Sequence, residues 1–404
     1  MDVSAEQAYL FRHAVVRDAA YDLQLPSERA QLHGLALDVL ESLPGMNQPS
    51  AGLELAHHAR WAREGARDAE RYAEAERRHL RAGGDFARFN YDYNAALEAF
   101  QRLHSLLGDD LPQRALVADM MADVLQRLGR YTDSLPYFEE VRAHAANPEL
   151  VGRALVHLAW IGQEMGRQVD DLVTEGEQIA ERTDSHRLRI AFMMLRAHRM
   201  AFDGDNAGAA REMESVIEYA VRTNDVVQQL VAHGNAAQYE TEAGNLQSAN
   251  AHLDAAEKLC QAPLMRHHLA NIVKARAQAA IRNGEFEAAL KYAREAAQIG
   301  VSTGGRGLLA SSLCEVAVAL AGLERHAESF ETLQEVQFLV AETADVMLAT
   351  SWMKAYAGLM RAWGKAEQAV PVFEEGLREL EGQVPQQTYQ MLCTELESLR
   401  RGAP

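Results

Sequence analysis

The sequence predicts an all-α protein, most of it a solenoid of antiparallel helix pairs, and three observations carry that prediction. Of the 404 residues, 48% are hydrophobic but only 7% are aromatic and 10 are proline, a balance that favours helix over a turn-rich β fold. A helix, a short turn and a second helix recur, as in "ADVLQRLGRYTDSLPYFEEV" (122–141), "ARAQAAIRNGEFEAALKYAREA" (275–296) and "AYAGLMRAWGKAEQAVPVFEEGL" (355–377). The turns align at Gly129, Gly166, Gly204, Gly244, Gly284, Glu324 and Gly364, with steps of 37, 38, 40, 40, 40 and 40 residues. Seven residues before every one of them stands an alanine: Ala122, Ala159, Ala197, Ala237, Ala277, Ala317 and Ala357. A small side chain at one place on each first helix is what close approach of a partner helix requires, and the turn glycine supplies the left-handed residue that ends that helix.

From the N-terminus, Phe11, Arg12, His13, Arg17, Asp18 and Tyr21 fall on one short helix that Pro26 breaks. His13 is placed to order that helix by pairing with Asp18 or a backbone carbonyl. Ser27 is placed to N-cap the next helix, which runs to "ESLPG" at 41–45. Residues 53–65 read as a helix, and 71–108 as a degenerate helix pair turning near Asn90. The seven repeats follow. In their second helices a small residue comes five after the turn (Ser134, Ala209, Ala249, Ala289, Ser329, Ala369, with Asp171 the exception), and Phe138, Met213, Leu253, Leu333 or Phe373 lies four further on. Glu324, in place of glycine, keeps the register with a poorer cap. Pro136 and Pro371 share a phase near the start of their helices, where little hydrogen bonding is lost. Residues 385–401 read as a lone amphipathic helix closing the last repeat. The expected organisation is thus 1–50, an N-terminal helical segment; 51–110, degenerate helical repeats; 111–382, seven repeats; and 383–404, a capping helix. No β-sheet is expected beyond two or three residues around Tyr9.

The small residue of the first helix, the Gly-x-Tyr turn (Gly129-Arg130-Tyr131) and the small residue then large residue of the second helix resemble the tetratricopeptide repeat family in its longer-helix form, over about residues 112 to 380. The resemblance implies a right-handed superhelix of antiparallel pairs whose first helices line the concave side. The 40-residue period exceeds the usual 34 and implies an altered pitch. Family alignment puts groove-facing residues three and six before the small alanine and one and four after it. Carried to this sequence, that gives Asp119 and Asp123; Arg153, Trp160 and Gln163; Met194 and His198; Gln238 and Thr241; Asn271, Lys274 and Gln278; Lys354 and Arg361, acidic toward the N-terminal end and basic toward the C-terminal end. The two-lysine, two-asparagine carboxylate clamp of chaperone-binding relatives is not reproduced.

The segment "YLFRHAVVRDAAYDLQLPSERAQLH" (9–33) resembles the junction that, in bacterial signal-transduction ATPases of the STAND class and in multidomain Ser/Thr kinase and adenylate-cyclase regulators, follows the nucleotide-binding and winged-helix region. That implies a regulatory half acting with a kinase or ATPase signalling module. A phosphate-binding loop needs G-x-x-x-x-G-K-[ST], and the one Gly-Lys pair, Gly364-Lys365, is followed by Ala366 inside a repeat turn.

Other chemistry is disfavoured. Lys plus Arg number 40 against 58 Asp plus Glu, a formal charge of −18 that works against binding a phosphate backbone, so no nucleic acid is expected. Cys260, Cys314 and Cys393 lie far apart, which suggests neither disulfide framework nor zinc site. His57-His58 and His267-His268 are adjacent, so on a helix their side chains diverge by about 100° and cannot easily chelate one ion. No signal sequence and no apolar run of about 18 residues occurs, so a cytoplasmic location without membrane contact is expected. No cofactor or catalytic constellation is expected. The leading expectation is a non-catalytic scaffold that binds a protein or peptide along the groove. The alternative is a sensor of a small effector, because these long-helix repeats also resemble those of the maltose-regulon activator. A closed pocket holding Trp160 and His198 would favour the sensor, an open groove the scaffold.

Overall fold

The computed structural model describes Tyr21 and residues 23–43, 48–64, 68–90, 92–260, 266–303, 306–343, 345–384 and 386–401. Tyr9, His13, Arg17 and Asp18 lie outside the described residues. Those described form nineteen α-helices and one short 3-10 turn, with no strand among them. Packing divides the chain into two compact units, Met1–Asp110 and Leu111–Pro404.

In the first unit, α1 (Pro26–Ser42) precedes α2 (Gly52–Arg63), α3 (Ala69–Phe89) and α4 (Tyr93–Leu106). Ser27 does not cap α1. Pro26 already occupies the first helical position, where its missing N–H costs nothing, so the cap moves back to Leu25. The Leu25 N–H is satisfied by Glu28 Oε2 at 3.1 Å. Helices α2 and α3 cross so closely that a Cβ on Gly52 would fall 2.5 Å from the Gly83 backbone nitrogen. Leu37, Leu55, Ala59 and Ala75 form the core. Beside it Glu76 is buried, with Arg102 Nε donating to its Oε1 at 2.8 Å and Arg63 paired with its Oε2 by charge alone at 3.5 Å.

The second unit is built of helix pairs: α5 (Leu111–Arg127) with α6 (Tyr131–His144), α7 (Pro148–Glu164) with α8 (Asp170–Arg182), α9 (His186–Phe202) with α10 (Asn206–Arg222), and α11 (Val226–Glu242) with α12 (Leu246–Leu259). Then come α13 (Arg266–Arg282) with α14 (Phe286–Thr303), α15 (Arg306–Gly322) with α16 (His326–Thr343), α17 (Val346–Ala362) with α18 (Ala366–Leu380), and the single α19 (Gln386–Arg401). All seven turn residues adopt positive φ, from 60° at Glu324 to 91° at Gly204. Each turn closes with the same pair of backbone bonds, such as Gly129 N–H to the Gln126 carbonyl (3.0 Å) and Arg130 N–H to the Leu125 carbonyl (2.9 Å). That pairing satisfies carbonyls which the helix end would otherwise leave bare. Between pairs, aspartate, asparagine and serine do the capping, as where Asp225 accepts from the Gln228 N–H at 3.1 Å and Asp345 from Met347 and Leu348.

The seven alanines are at most 1% exposed, so no larger side chain fits between the paired helices. The second pair departs from the pattern, with a physical reason. Two extra residues lengthen its turn before α8 begins, the buried positions fall one residue later, and Asp171 faces solvent. Gly176 then leaves a gap that Phe192 of α9 fills; a Cβ on Gly176 would lie 1.9 Å from Phe192 Cζ. At the far end α19 lays Leu392, Leu396 and Leu399 on Met353, Phe373 and Leu377.

Candidate functional site

The first helices of successive pairs bound three adjoining cavities. One, of about 860 Å³ and open to solvent, is walled by α5, α7, α9 and α11, the first turn of α6 and the start of α10. The next, of about 580 Å³, is walled by α11, α13 and α15, and shares Asn235, Gln238 and Glu242 with the first. A third, of about 510 Å³, is walled by α13, α15 and α17 and the first residue of α14, and shares Gln278 and Glu315 with the second. Together they form one trough along the array.

Ten of the residues expected in the groove stand on its walls: Asp123, Trp160, Met194, His198 and Gln238 in the largest cavity, Gln238 again with Thr241, Asn271, Lys274 and Gln278 in the second, and Lys354 with Gln278 in the third. Asp119, Arg153, Gln163 and Arg361 do not. Asp119 is buried and paired with Arg153, Gln163 is buried, and Arg361 is bonded to Glu395 of α19.

Two wall columns escaped the sequence reading. One lies two residues before the small alanine (His157, Leu195, Asn235, Ala275, Glu315, Ala355), the other five after it (Arg127, Phe202, Glu242, Arg282, Gly322, Ala362). At about 100° per residue these positions flank the one just after the alanine, on the side away from the positions three before and four after it. The exposed stripe is therefore rotated from the expected one. A signal existed in the sequence: the five-after column holds Arg127, Glu164, Glu242 and Arg282, charges that a helix pair would not bury against its partner.

Charged and polar side chains on the trough walls and beside them are cross-linked from one first helix to the next. Asp119 meets Arg153, and Glu242 meets Arg282. His198 Nε2 lies 2.6 Å from Glu164 Oε1, Gln278 Nε2 donates to Glu315 Oε1 at 2.6 Å, and Lys274 Nζ donates to Ser311 Oγ at 3.4 Å. The expected run from acidic to basic is thereby levelled, because Glu242, Glu315 and Glu395 stand beside Arg282, Lys274 and Arg361. Burial holds the Lys274 amine below its usual range and pushes the Glu315 carboxyl up.

The aromatic end is different. Trp160 is half-buried between Tyr131 (ring centroids 5.2 Å apart, edge-on) and His198 (6.1 Å). Burial lifts the Tyr131 and Tyr239 hydroxyls to about 12 and lowers His157, stacked flat on Phe138 at 4.8 Å, to about 4. Among the described residues no cluster of three or more His, Cys, Asp or Glu could hold a metal ion, and no helix is long and apolar enough to cross a membrane. In the first unit His33 Nδ1 and His58 Nδ1 lie 2.9 Å apart, Tyr21 Oη is 2.9 Å from His33 Nε2, and burial, with His58 and His57 nearby, lowers His33 to about 4.

No protein-family model matches the sequence, and neither does any curated protein. Solved structures do. A Rap protein complexed with competence and sporulation factor is 12% identical, with a TM-score of 0.50 over 81% of this chain and 98% of that one. A STAND signal-transduction ATPase with a tetratricopeptide repeat sensor, from Pyrococcus horikoshii, is 13% identical with a TM-score of 0.49; the match covers 91% of this chain but 56% of that one. Likeness at this identity is a likeness of fold, and the fold is that of a tetratricopeptide-like α-solenoid.

Proposed function

We propose that the repeats from Leu111 onward form a non-catalytic interaction module that receives an extended segment of a partner protein along the first helices, with α19 capping the array. One observation carries the reading: the three cavities share walls and so make a trough, open to solvent, rather than a closed pocket around Trp160 and His198. Asn235, Gln238 and Asn271 line it with carboxamides, each of which can donate to a peptide carbonyl and accept from a peptide N–H. Trp160 and Tyr131 provide an apolar anchor of the kind that concentrates binding energy. The Rap protein, whose fold this chain shares, was solved in complex with competence and sporulation factor, and this supports a binding role for the array. The resemblance of residues 9–33 to a STAND-type junction supports a regulatory role in bacterial signal transduction, the partner being a kinase or ATPase signalling module.

Peptides displayed on phage and selected on the full chain test this. Trp160→Ala should speed their dissociation about tenfold or more, the loss of a central aromatic anchor. Lys354→Glu should chiefly slow association of acidic peptides. Both variants should keep the wild-type helical signal. Selected peptides that bind both variants as they bind wild type would place the site outside the trough.

A further inference from the structure

In a linear solenoid each repeat touches only its neighbours. Here the first and the seventh meet. A Cβ on Gly129, in the turn between α5 and α6, would fall 2.7 Å from Asp345 Oδ1 and 3.0 Å from the Val346 backbone nitrogen, at the N-terminal cap of α17. At Gly166, Gly204, Gly244, Gly284 and Gly364, the same turn in other repeats, nothing lies within 4 Å. Beyond α18, Gln383 shares a crevice with Tyr131, Thr132, Trp160 and Glu164. Tyr131 and Trp160 line this crevice and the 860 Å³ cavity alike, so two rings stand between them.

We propose that this seam between the first and seventh repeats is a latch that closes the array around the trough and sets its width. The proposal rests on the reading of the trough as the binding site. A segment reaching from the Trp160 wall to the Lys354 wall touches both sides of the ring, so it binds the closed form better than an opened one. By linkage, closing the seam strengthens binding, and binding closes the seam. The seam is narrow beside the packing of adjacent pairs, whose helices run against one another along their length, so it is the place where the ring parts first.

The test uses the full chain with nitroxide labels at Asp133→Cys and Glu381→Cys, exposed positions on either side of the seam, and with Cys393→Ser. Double electron–electron resonance should give one narrow, short distance distribution in the otherwise wild-type protein. Gly129→Glu should broaden it and shift it to longer distances, while Gly166→Glu should not. Glu324 shows that this turn accommodates glutamate at φ 60°, close to the 72° of Gly129 and the 69° of Gly166, so the two variants carry the same local cost. The fluorine resonance of 5-fluorotryptophan at position 160, assigned with Trp160→Phe, should move in Gly129→Glu alone. A broad, long distribution in wild type, or a Gly129→Glu protein that matches Gly166→Glu in both readouts, overturns the latch. If Gly129→Glu loses its helical signal, the wild-type distribution decides. Selected peptides whose affinity is the same in both glutamate variants while the distances differ would overturn the coupling and leave the trough reading intact.

Discussion

The two units solve one problem, burying helix faces, in different ways. The seven-repeat unit does it with a periodic device: an alanine with almost no exposure on every first helix, a small residue opposite it in six of seven second helices, and a left-handed residue at every turn. The N-terminal unit relies on single encounters. Gly52 meets Gly83, Tyr72 lies over Gly34, and Glu76 is held between Arg63 and Arg102. Repetition spreads stability over many equivalent contacts, whereas unique encounters concentrate it. The second repeat is an exception inside the array, where periodicity fails and one phenylalanine from the next pair fills the gap.

The largest effect is expected at that exception. Phe192→Ala should cost about 3–5 kcal/mol, because Gly176 has no side chain with which to fill the cavity. Chemical denaturation would show it, and a loss below about 1 kcal/mol would mean that the second pair is packed otherwise. Next comes the N-terminal unit's buried carboxylate. Glu76→Ala should cost about 3 kcal/mol, at the low end for breaking a buried ion pair because both arginines remain about one-third exposed. The loss should appear in the transition of residues 21–106 and leave hydrogen exchange in α9 to α17 unchanged.

A third effect depends on pH. With His157 lowered from 6.5 to about 4, chiefly by burial with Arg153 adding to it and Asp123 opposing it, the folded state stays neutral where the unfolded chain binds a proton. Stability is therefore full above about pH 6.5 and falls as the pH drops to about 4. Solvent at the cavity wall keeps the loss to about 2–3 kcal/mol. His157→Phe should flatten that part of the pH–stability curve, and an unchanged slope would show that other groups carry it. The smallest effect sharpens the periodic rule itself. Glu324→Gly should stabilise by about 1 kcal/mol, the cost of holding a side chain in the left-handed region, read as a raised denaturation midpoint.

The sequence by itself determined the helix pairs, the turn positions and the face on which each small alanine lies, because those depend on local rules: a 3.6-residue period, left-handed turn residues and steric exclusion between paired helices. It also placed ten wall residues of the trough, through a family alignment that assumes standard pitch. Only the tertiary structure decided which way the exposed stripe is turned, bringing the Glu242 and Glu315 columns onto the wall and burying Gln163. It alone joined Asp119 to Arg153 and Glu164 to His198, partners 34 residues apart. It alone brought Gly129 to Asp345. The reason is cumulative geometry: small rotations between successive pairs add up over seven repeats, and no residue records their sum.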